Sequence, residues 1–222
     1  GLRLIGERYA EVERELGTAR RIHERLFPAQ VTEGPLRMSY YYGPMSQLGG
    51  DYLDASMHAD GSMVLTLVDV TGHGVAAALA VNRLHGELKR TIAQQSSAGP
   101  ARIIEALNEY IYLTLADEQV FATAISLRAS PDGAVVLCVA GHPPAMIRRA
   151  NGSVEQIDST APALGMLPNA DLGAEESTCR LAKGDLLLLY TDGAFEIWNE
   201  AKVQLGVDGM KRAVARMQVR AG

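Results

Sequence analysis

Three aspartates carry the chemistry this sequence can be read to do. Asp51 follows Leu48-Gly49-Gly50 and opens an apolar stretch, while Asp69 closes the run Val64-Leu65-Thr66-Leu67-Val68 and leads into Val70-Thr71-Gly72-His73-Gly74. Asp192 ends Leu186-Leu187-Leu188-Leu189-Tyr190-Thr191 and precedes Gly193. A carboxylate at the tip of a buried strand is costly to desolvate unless a cation or hydrogen bonds compensate. The adjacent glycines let backbone or ligand approach closely. Taken singly, each aspartate reads as a turn or helix-cap residue. Three of them at strand tips point instead to hard cations, Mg²⁺ or Mn²⁺, which oxygen-only ligands select over zinc.

The other reactive side chains add less. His73, between two glycines beside Asp69, is placed where it could donate to a phosphate, but the preferred reading is packing or support of a neighbouring ligand. His142, before Pro143-Pro144, is given no catalytic role, and His58 and His85 read as surface residues. No lysine follows Gly72-His73-Gly74, so this turn is not a phosphate-cradling Walker loop. Cys138 and Cys179 lack paired spacing, which argues against a disulfide framework or zinc cage and fits a reducing compartment.

The elements that must position the aspartates alternate between short apolar runs and turn signals. Strands are expected at Arg37–Tyr42, Tyr52–His58, Ser62–Val70, Phe121–Ala129, Ala134–Ala140, Ala145–Ala150, Val154–Ile157 and Asp185–Tyr190. Asp60-Gly61, Asp132-Gly133, Asn151-Gly152 and Lys183-Gly184 mark the turns of antiparallel hairpins. Helices are expected from Val75 to about Gln95, from Pro100 through Leu115, and from Val207 to Met217. Many hairpin strands with a few helices give an α+β layout. The chain has 222 residues, 47% hydrophobic and 21% charged, enough to build a core without staples. Its net charge is −5 and no stretch concentrates Lys and Arg, so nucleic-acid binding by phosphate neutralisation has no footprint. No apolar run approaches the ~20 residues needed to span a bilayer, and the amino-terminal pattern is a charged helix, not a signal peptide; a cytoplasmic protein is expected.

Residues 1–27 form a separate unit, a helical linker. Leu2, Ile5, Tyr9, Val12, Leu16, Ala19, His23 and Leu26 are spaced 3-4-3-4-3-4-3, the seam of a coiled coil, and Pro28 closes the helix. One amphipathic helix lying on its own domain would also fit, but a repeat unbroken over nearly four heptads favours self-pairing into a homodimer. An upstream sensor could signal through such a stalk.

Four motifs in order resemble a known family. Leu48-Gly49-Gly50-Asp51-Tyr52-Leu53-Asp54, Val68-Asp69-Val70-Thr71-Gly72-His73-Gly74, Ala140-Gly141-His142-Pro143-Pro144 and Gly184-Asp185 through Tyr190-Thr191-Asp192-Gly193 are similar to the bacterial SpoIIE/RsbU branch of the PP2C-type metal-dependent protein phosphatases. The linker ending Arg25-Leu26-Phe27-Pro28 also resembles that branch, although His23 stands where the branch usually carries Gln. The resemblance spans about residues 10 to 217. It implies a phosphatase domain over residues 28–222 with a four-layer αββα sandwich: two antiparallel sheets flanked by helices. It implies two Mn²⁺ or Mg²⁺ ions ligated by Asp51, Asp69, the Val70 carbonyl and Asp192, which activate a water to hydrolyse phosphoserine or phosphothreonine. The substrate it implies is a phosphorylated STAS-type anti-anti-sigma protein in a partner-switching pathway. Branch members usually end in an Asp-Asp-x-Thr strand that adds a metal carboxylate, whereas this sequence closes on Val219-Arg220-Ala221-Gly222, so the domain is expected without that strand. Asp208 reads as a helix cap rather than its substitute. The competing reading is a PP2C-like domain with little turnover that docks a partner or relays a signal.

Overall fold

A computed structural model describes residues 2–44, 48–95, 98–198 and 202–217, with the side chains of the first helix described from Arg8 onward. The elements in chain order are α1 (Leu2–Glu24), β1 (Asp51–Met57), β2 (Met63–Val70), α2 (Gly74–Gln94), α3 (Pro100–Thr114), β3 (Ala122–Ala129), β4 (Ala134–Ala140), β5 (Ala145–Arg148), β6 (Val154–Ile157), α4 (Asn169–Leu172), β7 (Ser177–Arg180), β8 (Leu186–Leu188) and α5 (Gly206–Arg216). They build two antiparallel sheets, one in the order β1-β2-β3-β4-β7 and one in the order β6-β5-β8.

The period of two along each strand sorts the side chains into three layers of core. On β1 to β4 the even positions Tyr52, Val64, Val68, Ala122, Ala124, Cys138 and Ala140 pack beneath α2 and α3, against Leu84, Leu88, Ile104 and Leu107. The odd positions Leu53, Leu65, Ile125, Leu127, Leu137 and Val139 face the second sheet and meet Leu187 and Leu189. The far side of the second sheet packs Met146 and Leu188 against Val207, Met210 and Val214 of α5. Helices, sheet, sheet, helix: the chain has the four-layer α+β sandwich.

Two details differ from the sequence reading. Residues 37–42, expected as a strand, join neither sheet; Met38 makes an isolated bridge with Val31, and Met38 and Tyr40 pack on the inter-sheet core through their side chains. β7 was not expected from the sequence, because four residues of alternating exposure carrying Ser, Thr and Arg lack an apolar run. No helix among the described residues is long and apolar enough to cross a membrane.

In α1 the seam residues Tyr9 and Val12 are exposed, while its end is anchored. His23 is buried against Phe27 and Tyr42, and Phe27 in turn meets Tyr40, Tyr42 and Tyr52. The seam side chains Leu2 and Ile5 lie outside the described residues, as does the terminus from Val219 to Gly222.

Candidate functional site

Antiparallel pairing places Asp51 directly opposite Asp69. Val70 N–H donates to the Gly50 carbonyl, at 3.1 Å, so Gly50–Val70 is a hydrogen-bonded pair and Asp51–Asp69 falls in the next, closely spaced non-hydrogen-bonded pair. Both residues are odd-numbered and share the inter-sheet face with Leu53 and Leu65. Like charges directly opposite one another destabilise a sheet. This sheet end therefore carries an unfavourable arrangement that a cation would relieve.

Glycine makes the arrangement possible. A Cβ on Gly50 would sit 2.5 Å from the Val70 carbonyl oxygen, so only glycine lets that carbonyl approach the start of β1. Beyond Val70 the chain turns through Gly72 and Gly74, both at positive φ, into α2. Gly74 N–H donates to the Leu48 carbonyl at 3.2 Å, which ties the two site loops together.

The second sheet delivers the third aspartate. After β8 the chain passes through Tyr190 and Thr191, and Asp192 opens a short 3-10 turn. The Thr191 side chain hydrogen-bonds Asp51, and the Asp192 charge acts on both Asp51 and Asp69. Burial raises the Asp51 carboxyl above its ordinary value, with Asp192 adding to the rise and the Thr191 hydrogen bond opposing it. Asp69 is pushed up to about 7, first by burial and then by Asp51, Asp192 and Glu196. Three aspartates far apart in sequence thus meet electrostatically at one end of the sandwich. Among the described residues, no three His, Cys, Asp or Glu side chains stand close enough to enclose an ion as positioned.

Glu196 was not anticipated from the sequence. It lies one turn after Asp192, its N–H donating to the Asp192 carbonyl at 2.9 Å. Its i, i+4 spacing from Asp192 is the signal that could have found it. Thr123 was also missed. It is the register partner of Asp69 on β3, and only the strand pairing reveals this. The row Asp51, Asp69, Thr123 runs across three adjacent strands on one face.

The histidines part company with the sequence reading. His73 is exposed at the start of α2 and packs into no core. His85 is half-buried, its Nδ1 2.6 Å from the Tyr52 hydroxyl, so it is no free surface residue; His58 is half-buried too. His142 is 4% exposed and bonds Thr123. Asp208 lies in the first turn of α5 without capping it, since the cap position is Leu205.

Comparison with known proteins decides the family. The family described as Stage II sporulation protein E (SpoIIE) matches residues 59–221, a span that contains Asp69 and Asp192. The chain belongs to the SpoIIE family of PP2C-type protein phosphatases. Phosphoserine phosphatase RsbP of Bacillus subtilis (strain 168) is 31% identical over 191 residues, covering 83% of this chain and 46% of that protein. The SiaA-PP2C domain of Pseudomonas aeruginosa shares the fold at a TM-score of 0.76 and 17% identity, over 93% of this chain and 82% of that one. RsbX, solved in complex with magnesium, superposes at a TM-score of 0.57 and 17% identity, over 77% of this chain and 74% of that one. The chain spans less than half the length of the curated relatives it matches.

Proposed function

We propose that this domain hydrolyses phosphoserine or phosphothreonine on a partner protein with the help of two divalent cations, Mn²⁺ or Mg²⁺. The observation that carries the reading is the direct opposition of Asp51 and Asp69 with the Asp192 charge bearing on both. The donor set fits hard cations. It is all oxygen, it concentrates negative charge, and without a counter-charge Asp69 holds its proton up to about 7. In this reading Asp51, Asp69, Asp192 and the Val70 carbonyl would hold the ions. Cations bound there supply an acidified water and neutralise phosphoryl oxygens. The chain's own contribution is positional: β1 and β2 fix two carboxylates by register, and Thr191 orients Asp51 from the other sheet. No side-chain nucleophile is needed. The two cysteines are held as thiols by burial: Cys138 is pushed up to about 11, and Cys179 is raised.

The substrate we propose is a phosphorylated STAS-type anti-anti-sigma protein in a partner-switching pathway. The name of the relative RsbP, a phosphoserine phosphatase, supports the class of bond cleaved. We also assign self-association to α1, whose seam residues Tyr9 and Val12 are left uncovered by the rest of the chain; such a stalk suits input from a sensor. The test is phosphate release from a phosphoserine-bearing STAS protein with Mn²⁺. Turnover is expected, with a loss of at least ~100-fold in excess chelator or in Asp69→Asn. Partner binding without phosphate release would leave the docking-module reading in its place.

A further inference from the structure

We infer that Trp198 is the anchor on which this domain docks its protein substrate. The partner it fits is a folded phosphoprotein with an apolar patch beside its phosphoserine, seated on the indole while the phosphate enters among the three aspartates. This inference names the partner-facing surface of the site and rests on the hydrolytic reading above.

The chain has one tryptophan, and it is 65% exposed. Tryptophan is highly buried on average, so an outward-facing one calls for a partner. The backbone around it is fixed. Past Asp192 the chain makes one tight turn, with the N–H groups of Phe195 and Glu196 donating to the Asp192 carbonyl at 3.0 and 2.9 Å. It then runs out and returns as a short antiparallel ribbon in which Trp198 bridges to Gln204. Leu205 N–H donates to the Ile197 carbonyl at 2.9 Å, and Gly206 N–H to the Phe195 carbonyl at 3.1 Å. Phe195 also meets buried Tyr190 edge-on at 5.9 Å, which seats the ribbon's base on the core. A side chain carried on such a clamped base loses little freedom when it binds.

Distance decides what covers it. Glu196 lies one turn from Asp192, about 6 Å away. Two further residues of extended chain add at most about 7 Å, so Trp198 starts within about 13 Å of Asp192. A stable protein–protein interface covers about 800 Å² on each partner, a disc of about 16 Å radius. A folded substrate centred on a phosphate at Asp192 therefore lays its contact surface over Trp198. The face agrees. Residues two apart share one face of an extended chain, which puts Trp198 on the side of Glu196, whose charge bears on Asp69. Ile197 is exposed as well but takes the opposite face. Both side chains nearest Trp198 on the path to the site, Glu196 and Asp192, are acidic and add no attraction for a phosphoprotein. Apolar burial on the indole supplies it instead, as at the tryptophan anchors common in protein interfaces.

Two measurements test this. Because Trp198 is the single tryptophan, its emission reads the contact directly. A tryptophan-free, phosphoserine-bearing STAS protein added to the domain in chelator should shift that emission to the blue, and the shift should saturate. Unchanged emission overturns the proposal. So does a shift that follows the domain's own concentration before any partner is added, which would assign the surface to self-association. Steady-state kinetics with Mn²⁺ supply the second arm. Trp198→Ala should raise KM for the phosphorylated STAS protein about 10- to 100-fold while kcat stays within about 2-fold. On p-nitrophenyl phosphate, too small to reach the ribbon, kcat/KM should stay within about 2-fold of wild type. Trp198→Phe, which keeps a ring, and Ile197→Ala, on the far face, should each stay within about 3-fold on the protein substrate. Equal losses on both substrates would make Trp198 a support of the site, and an unraised KM would seat the substrate elsewhere; either result overturns the inference. A KM rise from Ile197→Ala as large as that from Trp198→Ala overturns it too. A wild-type domain that releases phosphate from neither substrate defeats the hydrolytic reading itself, whereas the emission measurement needs no turnover and judges the docking surface on its own.

Discussion

Replacing Asp69 with Asn should stabilise the metal-free protein while abolishing its response to metal. Asp69 is pushed from 3.8 to about 7 by burial and by the charges of Asp51, Asp192 and Glu196. Below pH 3.8 the carboxyl is protonated in both folded and unfolded chains, and no penalty exists. As pH rises from there to about 7 the unfolded chain gives up its proton and the fold keeps it, so stability falls; above about 7 the full penalty stands. A wholly buried group shifted that far would cost about 4 kcal/mol. Asp69 is only half-buried, and solvent screening reduces this to about 1–2 kcal/mol. Asn removes the charge with little change of shape. Thermal unfolding in chelator at pH 8 should place Asp69→Asn about 2–8 °C above wild type for a chain of this size. The gap should narrow toward pH 5. Adding Mn²⁺ should raise the wild-type midpoint and leave the variant's nearly unmoved. A variant that melts at or below wild type at pH 8 without metal would refute the claim that these carboxylates crowd one another.

Other perturbations probe the supports. Gly50→Ala forces a Cβ against the Val70 carbonyl, 2.5 Å away, and should cost about 1–3 kcal/mol; calorimetric Mn²⁺ titration should show weakened binding alongside the lower melting point. Lys89→Met leaves the Asp54 carboxylate, which is 3% exposed and bonded to Lys89 Nζ at 2.5 Å, with only the Tyr52 hydroxyl as a donor. Because Lys89 is itself half in solvent, the loss should be about 1–2 kcal/mol in denaturant unfolding, below that of a fully buried pair. Leu16→Glu, in the α1 seam, should convert a dimer to monomer in sedimentation analysis, and an unchanged mass would show that the seam does not pair.

The sequence made Asp51, Asp69 and Asp192 legible because each interrupts an apolar run beside glycine, a local pattern with a physical cause. The hairpin turns at Asp60-Gly61, Asp132-Gly133 and Asn151-Gly152 and the Pro100 helix start were legible too, whereas Lys183-Gly184, expected to close a hairpin, joins strands of different sheets. Thr123 and Glu196 were not. Thr123 owes its place to the register of β2 with β3, which no local pattern encodes. His142 needed the positive φ of Gly141 to reach the inter-sheet face, whereas a period-two reading assigns it to the helix side. His85 looked like a surface residue because its partner, Tyr52, lies 33 positions away on another element. Long-range pairing is the part of the site that a linear reading lacks.

Anomalous diffraction from crystals soaked in Mn²⁺ tests the central claim most directly. Two manganese peaks are expected within coordination distance of the Asp51, Asp69 and Asp192 carboxylates, and both should vanish in Asp69→Asn. Manganese that binds elsewhere, or a wild-type crystal with no peak between these three side chains at saturating metal, would contradict it.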